Sequence, residues 1–286
     1  MNSFLSLLRR LGINKTIKYS ILRWLGLDTV KSELETIHYF LNASVDITSI
    51  PSTKDNDLRN LQLCNTELLA YVAKLCDKYK LNYWLDFGTL LGAIRHKDCI
   101  PWDDDVDIAM PRDDYNRFFV LAKDDLKNVG IDVVPCQFWQ GLSYQHENTG
   151  IWIDIFPYDY YRSEGDYDYA RNQLKSIIPS CVPIGVLKED CHYNEYLYLA
   201  NKDTSIFRFH RYSEVFPLRN ASYGRYSFSV PNDSSMYLKT LYGDYMSLPK
   251  YGVLHHNKNG NSLSSLAIKQ GVDMSNVLKN LEKINE

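Results

Sequence analysis

A chain of 286 residues, 45% hydrophobic and 23% charged, is long and apolar enough to bury a sizeable core, which excludes wholesale disorder. Its formal net charge of -3 supplies no basic field and argues against a nucleic-acid polymer as partner. None of the six cysteines forms a Cys-x-x-Cys pair or a zinc-like Cys/His spacing, no apolar stretch approaches the roughly 18 residues of a membrane span, and Arg9 and Arg10 interrupt any signal-like run, so the expectation is a cytoplasmic protein with reduced thiols.

Residues 1–27 place Phe4, Leu7, Leu8, Leu11, Ile17, Ile21, Trp24 and Leu25 among Arg9, Arg10, Lys15, Lys18 and Arg23, with no acidic residue before Asp28. This pattern suits one amphipathic helix, or two broken at Gly12, on an anionic membrane surface at the inner face of the cell membrane. It equally suits a helix packed on its own domain or on a partner chain. Val30, Leu34, Ile37 and Leu41 continue at helical spacing and can support a homo-oligomer. Ser44, Ser49, Pro51, Ser52 and Asp55 mark a linker over 43–57, so the organisation reads as an N-terminal helical region at 1–50 and a main domain at 51–286. The 22 tyrosines fit a sugar or base pocket, or more simply a tyrosine-rich core and surface.

A helix is predicted over 57–80, with Leu58, Leu61, Leu68, Leu69, Val72, Leu75 and Cys76 on its apolar face, followed by a buried strand over 82–87. The strand leads into a helix over 88–97 that opens on Gly88 and Thr89. Free backbone N–H groups at such a start can face a phosphate, although packing and capping explain a Gly-Thr-x-x-Gly run as well. Gly92 permits close backbone approach to a ligand or a neighbouring strand. Arg95 lies about 10 Å from Gly88 at ~1.5 Å per residue, so Arg95 and Lys97 either complement the helix C-terminus or contact a second phosphate or the acceptor.

The carboxylates that follow are more specific. If 105–110 is a strand, Asp105 and Asp107 share one face and repel unless a cation bridges them or one pKa rises. Oxygen ligands of this kind suit Mg²⁺ or Mn²⁺. A solvated turn accounts for Asp103 and Asp104, but not for Asp107 inside an apolar strand. After a helix over 112–127, a strand over 131–134 and a hairpin or active-site loop over 137–150, the strand Ile151–Phe156 carries one charge, Asp154. A lone carboxylate there needs a partner, either a third position on the same metal or a buried Arg or Lys. Two carboxylates on one strand and one on a later strand suit metal-dependent nucleotidyl or phosphoryl transfer.

Gly88-Thr-Leu-Leu-Gly92-Ala-Ile-Arg95-His-Lys97, Ile100-Pro-Trp-Asp-Asp-Asp-Val-Asp107, Pro111-Arg112-Asp-Asp-Tyr115 and Trp152-Ile-Asp154-Ile-Phe-Pro157 together resemble the LicD family, which includes bacterial phosphocholine transferases and fukutin-related proteins. Leu241-Tyr-Gly-Asp-Tyr-Met246, Pro249, His255 and His256 resemble its closing motif, so the resemblance spans about 60–256. It implies an α+β, nucleotidyltransferase-like mixed β-sheet with flanking helices, added to the N-terminal amphipathic helices, and makes 51–286 a catalytic domain. It further implies Asp105, Asp107 and Asp154 as metal-binding catalytic residues, with Mg²⁺ or Mn²⁺ as cofactor. Asp154 or Asp104 is then the base, and Gly88, Thr89, Gly92, Arg95, Lys97, Arg112 and His256 are phosphate contacts. The implied reaction moves a phospho-alcohol from a CDP-linked donor to a hydroxyl of a glycan or lipid-linked glycan, releasing CMP. Nucleotidyl transfer from an NTP and a non-catalytic, membrane-recruited binding protein are the competing readings. The zinc-binding cysteines of the animal members have no counterpart here.

Overall fold

The structure, a computed structural model, describes residues 27–136, 139–145, 149–161, 196–199, 208–248 and 271–286. The chain divides into two compact units, one formed by 1–47 with 247–253 and the other by 48–246 with 254–286.

In the smaller unit, helix α1 runs over Leu27–Ser44, and Asn42 Oδ1 accepts the Leu248 N–H at 2.8 Å. Val30, Leu34, Ile37 and Leu41 are all exposed along α1. The basic amphipathic segment before Leu27 lies outside the described residues. Among those described, no helix is long and apolar enough to cross a membrane.

The larger unit opens with α2, Asn56–Tyr79, whose first turn is capped by the Asp55 side chain accepting from the Asp57 and Leu58 N–H groups at 3.0 and 3.2 Å. It ends where Lys80 takes a left-handed conformation, φ 56°. The buried face holds the expected Leu61, Leu68, Leu69, Val72, Leu75 and Cys76, but also Gln62 and Asn65. Strand β1 covers only Trp84–Leu85, and α3 spans Phe87–Arg95. The predicted strand over 82–87 is cut short because Asp86 caps α3 two residues before Gly88.

Strand β2, Asp107–Pro111, leads into α4, Arg112–Leu121, and α5, Lys123–Asn128. The single helix expected over 112–127 is broken at Ala122, which caps both pieces. Strands β3, Ile131–Pro135, and β4, Gln140–Tyr144, form the hairpin, and β5 extends over Trp152–Tyr161. Strands β6, Tyr196–Leu199, and β7, Arg208–Arg211, continue the sheet from β5. The core order is β1-β2-β5-β4-β3, with β2 and β5 parallel and the other pairs antiparallel, so the sheet is mixed and the fold α+β.

A one-turn helix α6, Tyr212–Val215, precedes the hairpin β8, Arg219–Tyr223, with β9, Tyr226–Val230, and then α7, Ser234–Tyr242. The last helix, α8, Met274–Asn285, packs along α2 and was not expected from the sequence. Its attachment is polar as well as apolar: Arg225 reaches Glu67 at 2.7 Å and Glu282 at 3.3 Å, and Asn285 Nδ2 donates to the Glu67 carbonyl at 2.8 Å.

Four cysteines lie among the described residues, none of them in a disulfide; Cys64, Cys76 and Cys99 are buried, and burial pushes the thiols of Cys64 and Cys99 up to about 12. A thiol so far from ionisation is a packing group rather than a nucleophile.

Candidate active site

The site is built on a buried frame around Asp86, which is 0% exposed. Its Oδ1 accepts the Phe87 N–H at 2.8 Å and the Tyr237 hydroxyl at 2.9 Å, and its Oδ2 accepts the Tyr158 hydroxyl at 2.7 Å. Tyr237 also accepts the Trp84 indole N–H at 3.1 Å and stacks on His210 with ring centroids 3.6 Å apart. Burial raises the pKa of Asp86, opposed by these three donors. The Asp86 N–H donates to the Asp107 carbonyl at 3.0 Å, while the Asp107 N–H donates to Thr89 Oγ1 at 2.8 Å. Asp107 is thus held on both sides of its peptide by the start of α3. At that start Phe87 has φ 40°, a left-handed conformation unusual for an aromatic residue.

The acidic loop before β2 is strapped to α2. Gln62 Nε2 donates to the carbonyls of Ile100 at 3.1 Å and Asp103 at 2.8 Å, and Asn65 Nδ2 donates to the Asp104 carbonyl at 3.1 Å. The other end of Asn65 accepts the Trp152 N–H at 3.0 Å, so one buried amide joins the acidic loop to β5. Strand β2 begins at Asp107 rather than Asp105, and α2 takes the loop carbonyls of Ile100, Asp103 and Asp104 before it. The solvated turn expected for Asp103 and Asp104 is corrected as well: Asp104 is buried and Asp103 half-buried. One carboxylate oxygen from each of Asp103, Asp104 and Asp105 lies within 4.8 Å of the others.

Asp107 and Asp154 are register partners across the parallel β2–β5 pair, so both side chains leave the same face of the sheet. The Asp154 N–H donates to the Val106 carbonyl at 2.9 Å. Asp154 Oδ1 accepts two indole N–H groups, from Trp139 at 2.5 Å and from Trp152 at 2.7 Å. The arginine or lysine partner that a buried carboxylate can take is, for Asp154, replaced by two neutral donors.

The electrostatics favour a cation. Burial, then Asp105, Asp154, Asp103 and Asp86 hold the Asp107 carboxyl well above its ordinary value. Asp103 is raised well above by burial, then by Asp105 and Asp104, and Asp154 is raised by burial against the pull of its two tryptophans. A site of half-buried and buried carboxylate oxygens, crowded by mutual repulsion, has the donor set of a hard divalent ion such as Mg²⁺ or Mn²⁺. The sign of the pH effect follows. Above the ordinary carboxylate value of 3.8, the folded protein keeps protons that the unfolded chain has released, and stability falls as pH rises toward the raised values. The melting temperature of the cation-free protein should drop from pH 5 to pH 7, and millimolar Mg²⁺ or Mn²⁺ should restore it mainly at pH 7. A cation-free protein that melts higher at pH 7 and ignores both ions would contradict this account.

The remaining predicted residues are distributed around the same helix. Gly88 lies against Asp103, whose Oδ2 would be 2.5 Å from a Cβ placed there. The start of α3 thus already has an acid side chain of its own beside it. Gly92 approaches the backbone of Asp98, whose carbonyl oxygen would be 2.6 Å from a Cβ. Arg95 is buried and donates through Nη1 to the Tyr245 carbonyl at 2.7 Å, and burial lowers its pKa to about 10. Lys97 is exposed and its Nζ donates to the Ile94 carbonyl at 3.1 Å, at the helix C-terminus. Arg112 forms a two-point pair with Asp159, Nε to Oδ1 and Nη2 to Oδ2, both at 2.8 Å. His256 lies outside the described residues, as does His255.

Sequence reasoning passed over Asp86, Gln62, Asn65, Trp139 and Trp152. Asp86 carries the signal that identified Asp154, a single charge among apolar residues. Gln62 and Asn65 are polar residues three apart on the buried face of α2, which also holds Thr66 and Glu67.

A protein-family model described as LicD/FKTN/FKRP, nucleotidyltransferase domain, matches residues 80–233. The lipopolysaccharide cholinephosphotransferase LicD of Haemophilus influenzae is 56% identical over 61 residues, which are 21% of this chain and 23% of that protein. The ribitol 5-phosphate transferase FKRP of Mus musculus is 46% identical over 99 residues, 32% of this chain and 20% of its own length. The ribitol-5-phosphate transferase FKTN of Homo sapiens is 39% identical over 59 residues, 21% of this chain and 13% of its own. The matched part is less than a quarter of each of these relatives.

Proposed function

This chain belongs to the LicD family, whose model matches more than half of it, and from that premise we propose that it is a phosphotransferase acting on a CDP-linked alcohol. It would move a phospho-alcohol, phosphocholine or a similar group, to a hydroxyl of a cell-surface glycan or its lipid-linked precursor, with CMP as the leaving product. The observation that carries this reading is the register pairing of Asp107 with Asp154 beside the Asp103–Asp105 cluster. The named relatives include a cholinephosphotransferase and two ribitol-phosphate transferases, which share transfer of a phosphorylated alcohol.

Asp105, Asp107 and Asp154 would hold Mg²⁺ or Mn²⁺, which when bound neutralises charge on the donor diphosphate. The chain's own groups supply the rest. The acceptor hydroxyl oxygen forms a bond to the phosphorus that bears the alcohol, the phosphoanhydride bond breaks, and CMP departs with its electron pair. The hydroxyl proton passes to the carboxylate of Asp104, since Asp154, the other expected base, is committed as a cation ligand. The N–H groups at the start of α3 are the phosphate contacts of this scheme, whereas Arg112, expected in the same role, is engaged by Asp159 away from the acids.

A panel of CDP-linked alcohols, incubated with the full chain, a glycan acceptor and Mg²⁺ or Mn²⁺, should release CMP from at least one donor, and chelation should stop it. Pyrophosphate release from CTP in place of CMP release would replace the proposal with nucleotidyl transfer. Turnover that persists in EDTA would sink the metal-dependent scheme.

A further inference from the structure

We propose that Trp139 and Trp152 are positioning residues, whose indole N–H groups hold Oδ1 of Asp154 so that Oδ2 is the oxygen presented to a divalent cation. The inference rests on the reading of Asp154 as a cation ligand. Indole nitrogen donates and never accepts, so each ring can serve only the acceptor it faces. Both face the same atom, at 2.5 and 2.7 Å. The terminal torsion of an aspartate is broad and roughly two-fold, and two convergent donors restrict it to one setting.

Each donor is itself fixed. Trp152 lies two residues before Asp154 on β5 and so on the same face. Its ring runs across Gly141, the β4 residue paired with Asp154, and a methyl group there would overlap the six-membered ring. Its backbone N–H is held by Asn65. Trp139 packs on Phe156 with centroids 5.3 Å apart, and Phe156 packs on Phe87 at 5.2 Å. The absence of a side chain at Gly141 therefore has a use: it admits the ring that orients the carboxylate opposite.

The test is Mn²⁺ binding to the full chain without any donor, read from the EPR signal of free Mn²⁺. Trp139→Phe and Trp152→Phe keep an aromatic ring and lose the donor, and each should weaken Mn²⁺ binding about tenfold. Gly141→Ala displaces the Trp152 ring without altering its chemistry, and should do the same if Trp152→Phe fails to fold. On an Asp154→Asn background, neither tryptophan substitution should weaken Mn²⁺ further. A tryptophan that merely packs would act independently of Asp154, and its losses would add to those of Asp154→Asn. Unchanged affinity in both phenylalanine variants, additive losses, or no Mn²⁺ binding by the parent overturns the proposal. Tenfold losses in a protein that releases CMP from no CDP-linked donor would keep the positioning role and reject only the transferase reading.

Discussion

Asp107→Asn should lower turnover by about a thousandfold and leave the cation-free protein at least as stable as the parent. Under the proposed function the loss follows from removing one charged oxygen ligand at a site where charge stabilisation would contribute several kcal/mol, and each 1.36 kcal/mol is a tenfold change in rate. The gain in stability has a different origin. Asp107 is buried beside Asp105, Asp154, Asp103 and Asp86, all of which disfavour its ionised form. An amide of the same shape removes that repulsion, and the backbone bonds to Asp86 and Thr89 do not depend on the side chain. Two measurements are needed, CMP release with a good donor and thermal melting in EDTA. Near-parental turnover would remove Asp107 from the catalytic set, and a clearly lower melting temperature would show that its charge supports the fold.

Asp86→Ala should be the more damaging substitution for folding, destabilising by about 3–5 kcal/mol as expected when three buried donors lose their acceptor together. The Phe87 N–H and the Tyr158 and Tyr237 hydroxyls would lose their acceptor together, inside a frame closed to water. At roughly 2–4 °C per kcal/mol for a protein of this size, the melting temperature should fall by about 10 °C. Asp86→Asn retains one acceptor oxygen and should lose less than half as much. If Asp86→Ala melts within about 2 °C of the parent, the tyrosine network is not what holds the start of α3. Activity should fall in step with folding, since the Asp86 side chain caps the helix whose Thr89 holds the Asp107 N–H.

Much of this arrangement was legible in the sequence because it depends on local patterns. The apolar period marked α2, the interruption of apolar strands by single charges marked Asp107 and Asp154, and the order of motifs marked the family. Nothing local could show that Asp107 and Asp154 face each other, because their pairing is made across a parallel ladder between distant segments. The acidic loop, whose Asp103 and Asp104 read locally as a solvated turn, conceals its burial for a related reason. Its burial depends on Gln62 and Asn65 reaching across from α2, and a helix pattern reports which face is apolar but not what its polar exceptions grip. Helix α3 was expected to open on Gly88 because glycine is a familiar start signal. The cap is Asp86, a residue whose burial no window of neighbours could reveal.

The Arg112–Asp159 pair has a consequence at a distance from itself. Asp159 lies on β5 and Arg112 just past the end of β2, five residues on from Asp154 and Asp107, or about 16 Å at ~3.3 Å per residue. A slip of one residue between these strands would turn Asp154 to the opposite face from Asp107 and carry Asp159 away from the guanidinium. The ion pair thus closes in the same register that sets the two acids side by side on one face, and a slipped pairing would forfeit both at once.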